Sequence, residues 1–190
     1  MITSTHAIYN LALLGRKDHP ERAWPILAGA VIPDLPAILC FLDLSLLQHQ
    51  SLWKIGNLLY PGSFWHEWAD WFHSIPIALG GCLFFFILKR RGGFWLCLSM
   101  ALHSLEDLPV HALSAHRHFL PLSSYEFNSP ISYSDPNFHA GLVAPLCLLL
   151  TLLAAYFIWK RGLSLTGKMA LGGGLLLEVV HVITVWAAPS

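Results

Sequence analysis

Residues Ala140–Ile158 read AGLVAPLCLLLTLLAAYFI, nineteen consecutive residues without a charge. They are followed at once by Trp159, Lys160 and Arg161. A helix needs about 20 mainly apolar residues to cross the hydrocarbon core of a bilayer, and aromatic and basic residues commonly flank such helices. The stretch therefore predicts a transmembrane helix.

The rest of the chain has the same character. It is 55% hydrophobic and 12% charged, with a mean hydropathy of +0.57, whereas a typical soluble domain carries about 25% charged residues. Four more apolar segments follow the pattern: Ala23–Leu42, Ser74–Leu88, Gly92–Leu102 and Met169–Ala188. The prediction is an all-α, polytopic helical membrane bundle with about five spans.

This bundle is expected to form a single membrane-embedded domain over residues 1–190, ending in a helical hairpin over residues 140–188. A long polar loop, Pro109–Asn137, separates the third span from the fourth. The basic turns Lys89–Arg91 and Lys160–Lys168 are expected in the cytoplasm by the positive-inside rule, with the N-terminus inside and the C-terminus outside. Shorter apolar runs also occur in the cores of soluble proteins, but 8 Trp and 11 Phe, some at the ends of the runs, favour a membrane.

The counts of charged residues and the positions of the cysteines argue against several kinds of function, and the histidines are unusually numerous. Lys plus Arg and Asp plus Glu both number 11, so no basic field is present to attract nucleic acid. The four cysteines are scattered without a C-x-x-C pair, which argues against a zinc ribbon or a disulfide framework. Histidines also number 11, and their positions carry the functional signal.

Two polar positions precede the middle of the chain. His6 follows Thr5 near the N-terminus, and Asp34 lies between Pro33 and Pro36 in an otherwise apolar segment. The prolines interrupt a regular helix, so Asp34 sits at a break. Its carboxylate could cap the second half of the helix or bind a cation, and the sequence favours neither.

The sequence WHEWADWFHS spaces His66, Asp70 and His73 at i, i+4 and i+7. On a continuous helix these three side chains share one face, and they match the ligands that divalent zinc, manganese or iron accept. Tryptophans at every third position also fit an interfacial helix with a polar stripe. The two interpretations are compatible.

His103 and Asp107 are spaced i, i+4 at the end of an apolar helix that Pro109 must terminate. A simple His–Asp hydrogen bond would explain the pair. Near a membrane edge, however, burying both side chains costs free energy unless they face a common protein interior.

The loop that follows contains His111, His116, Arg117 and His118, and it is longer than a connection needs. Long loops beside a rigid scaffold often shape a substrate site. Arg117 could hold a phosphate or carboxylate of a substrate, snorkel, or pair with Glu126.

The order of these motifs resembles that of the bacterial inner-membrane metal-dependent hydrolases described as LexA-binding or LexA-controlled. The matching residues are Thr5-His6, Pro33-Asp34, His73-Ser74, His103 to Asp107, and Pro121-Leu122-Ser123. The likeness covers about residues 3–125, where the family would place its metal-site motifs. The chain departs from the family pattern with Pro36 in place of a second acid and Phe72 in place of a threonine.

The resemblance implies a multi-pass hydrolase of the bacterial inner membrane with one or two divalent metal ions, zinc being preferred where imidazole dominates. It implies the metal ligands His6, Asp34, His73, His103 and Asp107. Asp70 would be a general base or an orienting group, and His111, His116, Arg117 or His118 would stabilise the leaving group. The substrate would be an ester, phosphoester or amide of a membrane lipid or another amphiphile.

Two non-enzymatic functions compete with this interpretation. An ion or proton pathway could use Asp34, Glu178 and His181 as relay groups within the membrane. Alternatively, the histidines of a structural, partner-binding membrane protein could simply be interfacial. The oligomeric state is left open.

Overall fold

The structure, a computed structural model, describes residues 1–47, 49 and 62–187, and this part of the chain is helical with no β-strand. The all-α prediction is therefore confirmed. The helices are α1 (Thr3–Leu14), α2 (Ala23–Val31), α3 (Leu35–Leu42), α4 (Phe64–Phe72), α5 (Ile75–Ile87), α6 (Arg91–Asp107), α7 (Ala140–Lys160) and α8 (Leu165–Ala187). Short 3-10 turns cover Pro20–Arg22, Ile32–Asp34 and Pro136–Phe138, and a π turn covers Asp43–Leu47.

Three segments of the described chain are long and apolar enough to cross a membrane: Pro20–Ser45, α7 and α8. A fourth is possible if α4 and α5, which meet at a 41° bend, form one span. Together these segments indicate a membrane protein. Helix α6 has 17 residues, a length of about 26 Å against a hydrocarbon core of about 30 Å. The count of five spans therefore stays a prediction.

Two pairs of consecutive helices form hairpins. Helices α7 and α8 pack against each other, as do α5 and α6; Ala188, the predicted end of the C-terminal hairpin, lies outside the described residues. The turn between α5 and α6 is tight, with Lys89 in the left-handed conformation at φ 53°. Many large apolar side chains of α5, α7 and α8 point outward, including Leu83, Phe86, Leu142, Leu149, Leu176 and Trp186. Such contiguous exposed apolar surface is expected where a protein contacts lipid.

The break in the first apolar segment lies where the prolines predict it. Helix α2 ends at Val31, the 3-10 turn contains Pro33, and α3 starts at Leu35 with Pro36 in its first turn. The Asp34 side chain makes no capping hydrogen bond to α3. It instead accepts a hydrogen bond from Thr3 Oγ1 at 2.5 Å. Of the two interpretations of Asp34, capping is therefore wrong, and the carboxylate faces α1.

Helix α6 is central because it packs against α1, α2 and α5. A buried polar link joins three of these helices: Asn10 Nδ2 on α1 donates to the Ser99 carbonyl at 2.9 Å and to Ser99 Oγ at 2.7 Å, and Ser99 Oγ donates to the Ile26 carbonyl at 2.6 Å. All of these groups are inaccessible to solvent. The link fixes α1 and α2 on α6, and thus the parts of the chain that carry His6 and Asp34.

We expect Asn10→Ala to destabilise the protein by about 1–3 kcal/mol, because it leaves buried acceptors of Ser99 without their donor. Thermal unfolding in detergent would measure the loss. The matched control is Asn137→Ala, since Asn137 is exposed and its side chain bonds only to the nearby Asp135. Its effect should stay within about 0.5 kcal/mol, and an equal effect of the two substitutions would contradict the assigned role of Asn10.

Candidate metal centre

The structure brings together all five side chains that the sequence proposed as metal ligands. His6 comes from α1, Asp34 from the break between α2 and α3, and His73 from the residue that follows α4. His103 and Asp107 come from the last two turns of α6. Four of the five are buried, and Asp34 is the most accessible, with its side chain 18% exposed.

The carboxylate of Asp107 lies at the middle of the cluster. Its Oδ1 is 3.0 Å from His6 Nε2, and its Oδ2 is 3.1 Å from His103 Nε2 and 3.6 Å from His73 Nε2. The rings of His6 and His103 are stacked with centroids 3.7 Å apart. Three imidazoles from distant parts of the chain therefore face one carboxylate.

Asp34 closes the other side of the cluster. Its Oδ1 lies 3.6 Å from His103 Nε2 and 3.8 Å from His73 Nε2. Two overlapping groups thus have ligand atoms within 4.8 Å of one another: His6, His103 and Asp107, and Asp34, His73 and His103. Because His103 belongs to both, they form one continuous centre.

Backbone carbonyls fix the tautomers of two of these histidines. His73 Nδ1 lies 2.8 Å from the Ala69 carbonyl, and His103 Nδ1 lies 2.8 Å from the Ala30 carbonyl. A carbonyl oxygen can only accept, so each Nδ1 carries a hydrogen and donates. In a neutral ring, the lone pair of Nε2 then points towards the carboxylates.

Both of these Nε2 atoms are buried and have no hydrogen-bond partner among the described residues. Lone pairs facing carboxylate oxygens require a positive charge between them, which a divalent metal ion or a proton on the ring supplies. Tetrahedral zinc with bonds of 2.0–2.1 Å places its ligand atoms about 3.3 Å apart, and the separations here run from 3.0 to 3.8 Å. The donor set therefore fits a divalent metal ion.

Glu106 was not singled out from the sequence, yet it orients a candidate ligand. Its Oε2 lies 2.7 Å from His6 Nδ1, and a carboxylate on the far nitrogen of a ligand histidine is a frequent arrangement at metal sites. The only signal in the sequence was its position next to Asp107. On a helix adjacent residues point in different directions, so contact with the cluster depends on where α1 lies.

His111 lies at the edge of the centre. Its Nε2 is 3.1 Å from Asp107 Oδ1 and 3.0 Å from the amino group of Met1, which also contacts Asp107. Its Nδ1 is 3.1 Å from Ser114 Oγ. Burial lowers the pKa of His111, which keeps the ring neutral and able to accept a proton or bind a metal ion.

The predicted common face of His66, Asp70 and His73 is divided between two clusters. Helix α4 contains His66 and Asp70 but ends at Phe72, and His73 leaves helical geometry with φ −88° and ψ 6°. His73 therefore turns into the five-residue cluster. His66 and Asp70 instead form a separate buried group with His116, so the interpretation of one three-ligand face is wrong because the helix is too short.

Arg117 pairs with Asp70 rather than with Glu126. Its Nε donates to Asp70 Oδ2 at 2.5 Å and its backbone N–H donates to Asp70 Oδ1 at 3.3 Å. His116 Nδ1 is 3.0 Å from the same Oδ1. The hydrogen bond to Asp70 raises the pKa of Arg117. A carboxylate that accepts this many hydrogen bonds is a weak base, so the geometry favours Asp70 as an orienting group over a general base.

His118 brings the loop close to the first cluster. Its Nδ1 lies 3.3 Å from the carbonyl of His73, and its buried Nε2 has no hydrogen-bond partner in the described part of the chain. Burial lowers the pKa of His118 to about 4 and also lowers the pKa of His116. Both rings are therefore neutral near pH 7, the form in which imidazole binds metal ions or donates a hydrogen bond.

Of the three groups proposed for an ion pathway, Asp34 belongs to this centre, whereas Glu178 and His181 lie apart from it. Glu178 on α8 accepts a hydrogen bond from Thr5, and His181 Nε2 lies 3.2 Å from the Tyr133 carbonyl. Each has a structural partner that joins α8 to its surroundings. Neither group belongs to the His/Asp clusters found among the described residues.

A groove leads from the surface to Asp34. Its walls include Thr3, Ile38, Phe41 and Tyr133, and Asp34 itself contributes. Phe41 on α3 is 45% exposed, and α3 belongs to a segment apolar enough to span a membrane. The most accessible ligand of the centre therefore adjoins an apolar surface.

A scan of family models finds no match to the chain, and no curated protein or solved structure is significantly similar to it. The functional argument therefore depends on the chemistry of the site itself.

Proposed function

We propose that this protein is a membrane-bound, metal-dependent hydrolase that cleaves an ester, phosphoester or amide bond of an amphiphilic substrate. One observation carries the proposal: the Nε2 atoms of His73 and His103 are buried, lack hydrogen-bond partners among the described residues, and face the carboxylates of Asp34 and Asp107. An arrangement of this kind costs free energy unless a cation lies within it.

Zinc is the proposed ion, because the centre is rich in imidazole and its spacing suits tetrahedral coordination. His6, Asp34, His73, His103 and Asp107, in two overlapping groups of three that share His103, would hold one or two such ions and leave a position for water. When bound, such an ion supplies Lewis-acid chemistry that polarises the scissile bond and makes water nucleophilic near neutral pH.

The protein's own groups would orient the ligands and the substrate. Ala30 and Ala69 hold His103 and His73 through their carbonyls, and Glu106 holds His6. His111, beside Asp107, is placed to accept a proton during the reaction. His118 has a free Nε2 near His73 and is placed to contact the leaving group, while Arg117 acts by holding Asp70.

The groove at Asp34 supports an amphiphilic substrate. A polar head would reach the centre beside Thr3 and Asp34, and an apolar chain would lie along Ile38 and Phe41 of α3. The substrate would approach from the membrane, since α3 is part of the broken apolar segment Pro20–Ser45. A membrane lipid or another amphiphilic small molecule fits this path, and we propose no nucleic-acid partner.

The setting that we propose is the bacterial inner membrane, in line with the resemblance to the LexA-binding or LexA-controlled hydrolases. About five spans would cross the membrane, the additional ones being formed by α5 and α6. The basic turns at Lys89–Arg91 and Lys160–Lys168 would lie in the cytoplasm.

The test is hydrolysis by purified protein in detergent micelles. Fluorogenic carboxyl esters, phosphodiesters and amides would be compared, each with and without an acyl tail. We expect one bond class to be cleaved, faster with the tail. The activity should vanish on chelation, return with zinc, and fall at least about 10³-fold in His73→Ala, since a catalytic metal contributes several kcal/mol.

The matched control is His19→Ala, because His19 lies outside the clusters and pairs with the nearby Glu21. This variant should keep wild-type activity. Stoichiometric metal without metal-dependent hydrolysis of any bond class would overturn the enzymatic proposal and favour a non-enzymatic membrane protein.

A further inference from the structure

We infer that His66, Asp70 and His116 form a second binding site for a divalent transition-metal ion, beside the five-residue centre. The site is built from α4 and from the loop after α6, and it shares no ligand with the first centre. The inference does not depend on hydrolysis.

The separations of the ligand atoms support a single ion among these three side chains. Asp70 Oδ1 is 3.5 Å from His66 Nε2 and 3.0 Å from His116 Nδ1, and all three ligand atoms lie within 4.8 Å of one another. Zinc with nitrogen and oxygen ligands requires separations of about 3.3 Å. The two distances lie on either side of this value.

The site is also shielded from water. Asp70 is fully buried, His66 is 3% exposed, and the His116 side chain is 13% exposed. Two imidazoles and a carboxylate are rarely buried together unless an electrostatic interaction compensates for their lost hydration. Shielding also strengthens the attraction between the carboxylate and any cation bound there.

Ring stacking places the second site directly beside the first centre. The His116 ring stacks on His73 of the first centre at 3.9 Å and on His66 at 4.8 Å. The stack orients the His116 ring between the two groups of candidate ligands.

Arg117 supports the site without occupying it. Its Nε binds Oδ2 of Asp70 at 2.5 Å, whereas the two imidazole nitrogens face Oδ1. The carboxylate thus has one oxygen held by the guanidinium, while the other faces the histidines and also accepts the Arg117 backbone N–H at 3.3 Å. Such an outer hydrogen bond orients a carboxylate ligand at a metal site.

The alternative is a hydrogen-bonded network in which Asp70 accepts from His116 and Arg117 and no ion binds. The two arrangements differ in metal content. The experiment reconstitutes detergent-purified wild type, His116→Ala and His19→Ala with Co²⁺, and measures bound metal by mass spectrometry and the visible d–d absorption of the complexes.

We expect wild type and His19→Ala to bind the same amount of Co²⁺, because His19 belongs to none of the three groups of candidate ligands. His116→Ala should bind about one equivalent less and lose the corresponding part of the visible absorption. His66→Gln, which removes the second imidazole while keeping a side chain of similar size, should lose the same equivalent. Circular dichroism would confirm that each variant is folded.

Equal Co²⁺ content and equal spectra in wild type, His116→Ala and His66→Gln would overturn the second site. The comparison does not require the first centre to be catalytic, since it measures only the difference that His116 and His66 make. Failure of the hydrolase proposal would instead appear as absent metal-dependent turnover with the Co²⁺ difference intact.

Discussion

The double variant His103→Ala/Asp107→Asn is expected to lose tight zinc binding at the five-residue centre, where Kd rises by at least about 10³-fold, while the site at His66, Asp70 and His116 keeps its ion. Asp107 is the group that His6, His73 and His103 all face, and His103 belongs to both overlapping ligand groups. Removing even an outer partner of a metal ligand typically costs about 10–100-fold in affinity, so removing two ligands should cost more. Competition with a chromophoric chelator would measure Kd.

The matched control is Asp18→Asn/His19→Ala, which makes the same chemical changes outside the clusters. Asp18 is exposed and His19 pairs with Glu21. This control should retain wild-type affinity. If the double variant at positions 103 and 107 also kept it while remaining folded by circular dichroism, the five-residue centre would not be the metal site.

Removal of the metal is expected to lower the Tm of the wild-type protein by about 8–16 °C. An ion present at about 1,000 times its Kd stabilises the folded state by about 4 kcal/mol, and each kcal/mol shifts Tm by about 2–4 °C for a chain of this size. The centre joins α1, α4 and α6 to the break at Asp34, so the loss should affect the whole bundle. Scanning calorimetry in detergent, with and without a chelator, would measure the shift.

The variant His103→Ala/Asp107→Asn tests whether the shift comes from this centre. Its Tm should shift less than that of wild type on chelation, because the ion of the five-residue centre is already lost and only the site at His66, Asp70 and His116 can respond. The full shift should return to wild type when zinc is added back. A wild-type Tm that is insensitive to chelation, at a metal content shown to fall, would contradict an ion at the junction of these helices.

Part of the centre could be found from local sequence features, whereas His6 entered the ligand set through the family resemblance. The pair His103 and Asp107 is one helical turn apart, and Asp34 stands out because it is charged between prolines in an apolar segment. The cost of polar groups in such segments predicts that they face a common interior. This argument uses only burial, so it identifies candidate ligands without saying which of them meet.

The division of the histidines between two groups could not be found in this way. The helix containing His66 ends at Phe72. The i, i+7 spacing therefore does not place His73 on the same helix face as His66. The partner of His66 and Asp70 is His116, which lies 46 residues after Asp70. Spacing rules describe one continuous helix and give no information about a loop that returns to it.

The sequence by itself determined that this protein is helical and apolar enough for a membrane, and it identified the side chains able to bind metal. These properties follow from composition and from periodicity along one chain segment. Only the tertiary structure determined that His6 meets Asp107 across 101 residues, that the carbonyls of Ala30 and Ala69 orient two imidazoles, and that Arg117 binds Asp70. The physical reason is that lone pairs are directional, so a metal centre exists only when helix packing brings them to one point.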